Sequence, residues 1–136
     1  MLGRSAYDPS QIAACASAFA DALEGWQKVA ARSDASARAE AEVRVFNQMV
    51  VALDGWFAHR LRRLEGKDGN VLNEVRLIAL GLTANRGRFP ADGVIRWHAE
   101  TSVTGLRPGD QIMITAALFE TLSLAFLAEM RAKFAT

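Results

Sequence analysis

The stretch Val43-Arg44-Val45-Phe46-Asn47-Gln48-Met49-Val50-Val51-Ala52-Leu53-Asp54-Gly55-Trp56-Phe57 decides what kind of fold this chain can adopt. One apolar seam runs through Val43, Phe46, Val50, Leu53 and Phe57, at the three- and four-residue steps of an α-helix. A second runs through Val45, Met49, Ala52 and Trp56. Positions two apart on a helix point about 200° from each other, so the two seams lie on opposite faces. A helix apolar on both faces is either central to a bundle or holds one face against another subunit. Gly55 costs such a helix roughly 1 kcal/mol relative to alanine and suggests a close backbone approach. Upstream, Ser33-Asp34-Ala35-Ser36 offers N-caps, so the helix is expected over about 36–64.

Working outward, Asp8-Pro9 opens a first helix, with aspartate as cap and proline where its missing N–H has no partner to lose. Ile12, Ala16, Phe19, Leu23, Trp26 and Ala30 carry its seam, predicting a helix over 9–31. The loop from Glu65 through Gly66, Lys67, Asp68 and Gly69 ends at Asn70, which caps a helix expected over 71–85. Its seam is Val71, Val75, Ile78 and Leu82, and its middle is apolar all round. Thr115 caps the last helix, 116–134. Between these two, periodicity changes. Short strands are expected over 94–97, 103–106 and 111–114, with Pro108-Gly109 at the centre of a tight turn. The expected fold is mainly α: a four-helix-bundle-like single domain with a small β-hairpin inserted before the C-terminal helix.

Composition narrows the function classes. Hydrophobic residues make up 51% of the 136 positions and charged residues 23%, which excludes disorder and low complexity. The net charge of +1 gives no global drive toward nucleic acid or an anionic membrane, so neither is an expected partner. The single Cys15 rules out an internal disulfide and a multi-cysteine zinc site. No metal or cofactor is expected. The polar N-terminus has no signal-peptide core, and Glu120 and Glu129 interrupt the most apolar stretch, which points to the cytoplasm. Alanine at 25 positions and 13 arginines against 3 lysines point to a GC-rich bacterial genome.

Candidate chemistry is sparse. His59 follows Trp56 by about one helical turn, where it could serve as a base or ligand, or simply as a cation favoured at a helix C-terminus. Arg60, Arg62, Arg63 and Lys67 form the one basic cluster, read first as a solvated helix end. Asp68, Asn70, Asn73, Glu74 and Arg76 gather where a loop meets a helix N-terminus, a place suited to an anion or small ligand. The competing reading is ordinary capping by Asn70, with Arg76 paired to a carboxylate. Trp26, Trp56 and Trp97 are read as core or interface. No nucleophile triad, zinc spacing or paired-carboxylate signature is present.

The run from Lys67 through Asp68, Gly69, Asn70, Val71, Leu72, Asn73, Glu74 and Val75 to Arg76 carries a resemblance. Together with Thr101-Ser102-Val103 and the stretch from Leu106 to Gly109-Asp110-Gln111-Ile112, it resembles a family of bacterial proteins of unassigned activity. The resemblance covers about residues 56–134, and the family commonly has proline where this chain has Val71. It implies no activity, substrate or catalytic residue, but it draws attention to the Asp68–Arg76 corner.

Two functions are therefore expected, in order. The first is a non-catalytic, self-associating helical interaction or structural protein, a homodimer driven by surplus apolar helix surface. The second is a small-molecule or anion-binding protein, or an enzyme, whose site draws on His59, Arg60, Asp68, Asn70, Asn73, Glu74 and Arg76. Arg76, the one basic residue in an apolar helix, is expected to be largely buried and paired with Asp68, the surroundings of Glu74 or a carboxylate on the last helix.

Overall fold

A computed structural model describes residues 3–136. Five α-helices follow in order: α1 (Pro9–Ala30), α2 (Ala35–Trp56), α3 (Arg62–Glu65), α4 (Val71–Ala84) and α5 (Ala116–Phe134), with a 3-10 turn at Ala99–Thr101. Caps set the starts. Asp8 accepts from the Ser10 N–H, Asp34 from Ala37, Asn70 from Leu72 and Asn73, and Thr115 from Leu118. No helix among the described residues is long and apolar enough to cross a membrane.

The helices assemble around α2 and α5. α2 packs on both α4 and α5, α4 packs on α5, and α1 lies chiefly along α5. The first seam of α2 is the core: Phe46, Val50, Leu53 and Phe57 are wholly buried, with Phe119 and Phe126 of α5 facing them. Its second seam is half-covered from within the chain. Val45 and Met49 rest against the core, Trp56 packs on Phe19 at 6.4 Å, and Ala52 faces solvent.

The expected helix over 36–64 is interrupted. It stops at Trp56, and the chain turns through Phe57–Leu61 before the four-residue α3. The freed backbone groups are met by the N-terminal segment: the Arg4 N–H donates to the His59 carbonyl and the Leu61 N–H to the Arg4 carbonyl. Arg60 turns inward and donates to the Phe57 carbonyl. Non-local bonding has replaced the helical ladder. The close approach expected at Gly55 is not there, since a Cβ added to it would meet nothing within 4 Å. It occurs at Gly81, where a Cβ would lie 2.6 Å from the Arg88 carbonyl oxygen.

The expected β-hairpin is overturned. The described residues contain no strand, only isolated bridges. The Pro108-Gly109 turn does form, with Gly109 at φ +94° and the Asp110 N–H donating to the Arg107 carbonyl. Across it, however, Arg88 and Phe89 pair with residues 109–111, not with 103–106. The other segments find partners elsewhere. Val94 and Ile95 donate to the Asp92 side chain, and Val103 and Thr104 to Glu74. Residues 112–114 do extend, with Ile112 and Ile114 buried and Met113 exposed; the Ile112 N–H donates to the Gly87 carbonyl, and beyond it the segment pairs with a side chain. Asn47 of α2 donates to the Ile112 carbonyl at 3.2 Å and accepts from the Ile114 N–H at 3.0 Å. Alternation recorded burial on one side, and an amide side chain took the place of a neighbouring strand.

Candidate functional site

The break after α2 brings charge into the core. Arg60 has a fully buried side chain whose Nη2 donates to Asp54 Oδ1 at 2.9 Å and to the Leu72 carbonyl at 3.2 Å. Its guanidinium carbon lies 5.4 Å from the centre of the Phe126 ring. Glu65, closing α3, is equally buried. Arg76 grips it with Nη2 2.6 Å from Oε1 and Nε 3.0 Å from Oε2. The Asn73 amide donates to Oε2 at 2.8 Å. Arg60 Nε is also 2.8 Å from Oε1, yet its N–H is not aimed at that oxygen, so this contact is charge attraction and not a hydrogen bond.

Burial alone would raise the Glu65 pKa, but the hydrogen bond from Arg76, the charges of Arg60 and Arg76, and the Asn73 amide outweigh it. The carboxyl is held below its ordinary value and stays ionised. For Arg76, burial works against the charge, and the bonds and charge of Glu65 more than restore it. An ion cluster in the core is tolerable because nearly every polar atom has a partner.

The Asp68–Arg76 corner uses its polar groups on itself. Asn70 caps α4 and donates both to the Glu65 carbonyl and to Asp68 Oδ1, at 2.7 Å each. The Asn70 hydrogen bond lowers the Asp68 pKa. Asn73 accepts from the Gly69 N–H and donates to the Gly66 carbonyl. Lys133 of α5 reaches the Glu65 carbonyl at 2.9 Å. Glu74 faces away from this group. It is buried and accepts from the Val103 and Thr104 N–H groups and the Thr104 hydroxyl, holding the 3-10 region to α4.

Of the seven expected residues, then, Arg60, Asn73 and Arg76 converge on Glu65, with Asp68 and Asn70 in the adjoining loop. Glu74 belongs to a different contact, and His59 stands exposed on the outer side of the break. Arg76 is paired, as expected, but to Glu65 and not to Asp68 or α5. Glu65 and Asp54 were not singled out. In the sequence Glu65 merely interrupts a basic run, and only the helix break turns it inward.

Outside this cluster lies a depression of about 380 Å³ lined by His59, Arg60, Arg62, Arg63 and Arg76. Four guanidiniums here face Glu65 and Asp54, with Asp92 near enough for its charge to interact with Arg62, leaving one positive charge in surplus. Arg62 and Arg63 are exposed and, among the described residues, have neither a hydrogen-bond acceptor nor a carboxylate within 4 Å. Arg76 keeps its Nη1 edge free, since Nε and Nη2 carry the bonds to Glu65. A second depression of about 460 Å³, between α2 and α4, shares Arg62 and Arg76 as its border. Among the described residues no three His, Cys, Asp or Glu side chains gather to hold a metal ion. Chemically, the arrangement suits a ligand that accepts hydrogen bonds and carries negative charge. No protein-family model matches the chain, and neither curated proteins nor solved structures yield a match, so nothing about this site is transferred from a relative.

Proposed function

We propose that this protein binds a small phosphate- or carboxylate-bearing molecule at the arginine-lined depression beside the α2–α3 break. One observation carries the reading: Arg62 and Arg63, without an ion-pair partner among the described residues, stand beside the free edge of Arg76, which the buried Glu65 and Arg60 fix in place. Guanidinium forks match the oxygen geometry of phosphate and carboxylate, and a pre-positioned fork loses less freedom on binding. The site differs from the loop corner suggested by sequence, whose donors and acceptors already satisfy one another.

Thermal melting in phosphate against chloride of equal ionic strength tests the reading. Phosphate at about 100 times its Kd should add about 2.7 kcal/mol of stability. The double variant Arg62→Ala/Arg63→Ala should fold normally, both side chains being exposed, and lose that gain. Equal melting of the native chain in both salts would end the proposal.

Self-association is a second reading, supported by an apolar groove of about 330 Å³ between α1 and α5, where Leu124 is 63% exposed beside Phe19 and Leu23. Its original motive is reduced, because α1 and the core already cover much of the second α2 seam. Light scattering at micromolar concentration giving the 14.8 kDa of one chain would dispose of it.

A further inference from the structure

The two depressions that meet at Arg62 and Arg76 differ in kind. The outer one is basic. The one between α2 and α4 has walls of Val51, Gly55, Leu77 and Leu80. Apart from Arg62, each of its polar side chains makes at least one hydrogen bond within the chain. Asp54 Oδ1 accepts from Arg60, Asp92 Oδ1 accepts from the Val94 and Ile95 N–H groups, and the Thr83 hydroxyl donates to the Ala79 carbonyl. Asp92 is held ionised chiefly by the Ile95 and Val94 amides, with help from the charge of Arg62.

Two features of this second depression lack a purpose within the chain. Gly55 weakens the last turn of α2, yet a Cβ there would meet nothing within 4 Å, so the glycine relieves no contact of the chain with itself. Leu80 is 45% exposed and lines the depression together with the buried Leu77 and Ala79. The space a side chain at 55 would fill is open, and it adjoins the arginines.

We infer that the ligand is an amphipathic anion, its phosphate or carboxylate head among Arg62, Arg63 and Arg76 and an alkyl chain lying between α2 and α4 over Gly55. This rests on the anion reading above. Charge sets the direction. Asp54 and Asp92 repel an anionic head from the α2–α4 side, and the surplus positive charge draws it to the other. Arg62 and Arg76, bordering both depressions, mark where head passes to chain.

Titration calorimetry with inorganic phosphate, butyl phosphate and hexyl phosphate tests this. Each buried methylene strengthens binding about fourfold, so hexyl phosphate should bind roughly fifteenfold tighter than butyl phosphate. Gly55→Leu, which fills the chain's seat, should bring the hexyl-to-butyl ratio close to one, and circular dichroism reports whether that variant is folded. Leu80→Ser should shrink the same ratio without relying on the glycine site. Equal affinities for all three ligands on the native chain overturn the alkyl seat and leave the anion site standing, whereas no binding of any of them removes both. Binding to phosphatidic acid vesicles without binding to hexyl phosphate would also overturn it, since a surface that reads only a bilayer does not enclose a single chain.

Discussion

Glu65 is the residue on which the buried charge depends. It faces two guanidiniums and an amide from inside the protein, and none of its oxygens reaches solvent. Removing it leaves Arg60 and Arg76 with far less compensation in a low-dielectric setting. Glu65→Ala should cost about 3–5 kcal/mol, read from the guanidinium chloride midpoint. Arg76→Ala should cost less, because Arg76 is 20% exposed and Arg60 still faces the carboxylate. An Arg76→Ala loss equal to or greater than that of Glu65→Ala would contradict this ordering. That Arg76 needs a partner was legible in the sequence, from the apolar residues around it. Which partner it has was not, because Glu65 lies eleven positions upstream and only a turn between the two helices brings them together.

At the scale of elements, the segment before α5 shows how a strand pattern can lack a strand partner. Ile112 and Ile114 face inward on α2, and Asn47 supplies one donor and one acceptor at the places a neighbouring backbone would. One turn earlier on α2, Glu42 accepts from the Ala116 N–H at 2.7 Å and anchors the start of α5. Asn47→Ala should leave the Ile112 carbonyl and Ile114 N–H unmatched, at a cost of about 1–3 kcal/mol. Amide hydrogen exchange at Ile114 should quicken more than the global loss of stability accounts for. Unchanged protection at Ile114 would mean that the Asn47 bond is not what holds the segment. Alternating apolar residues state which side is buried. They do not state what supplies the hydrogen bonds, and here a polar residue between the two seams of another helix supplies them.

Across the whole molecule, the ion cluster ties α2, α3 and α4 together at one end, with α5 joined through Lys133. Its pH dependence follows from Glu65. The folded pKa lies below the ordinary value of 4.5, so the contribution is present above that pH and lost as pH falls through the lower folded value. The stability difference between the native chain and Glu65→Gln should be constant near neutrality and shrink with acidification below about 4.5. A difference that holds steady through that range would show that the carboxylate charge is not the source of the stabilisation.

The sequence by itself determined the helical character of this chain, residues that cap its helices, and the two apolar faces of α2, because periodicity and capping are local properties carried by neighbouring residues. It also marked His59, Arg60 and Arg76 as residues of interest. Only the tertiary structure decided where α2 ends, what pairs with residues 112–114, and that Glu65 and not the Asp68–Arg76 loop organises the charged cluster. Each of these depends on a partner far away in sequence: Arg4 for the broken helix, Asn47 for the extended segment, and Arg76 for Glu65. Backbone and buried charges must be satisfied somewhere. No local pattern says by whom, since the competing partners differ by only a few kcal/mol and the packing of distant helices selects among them.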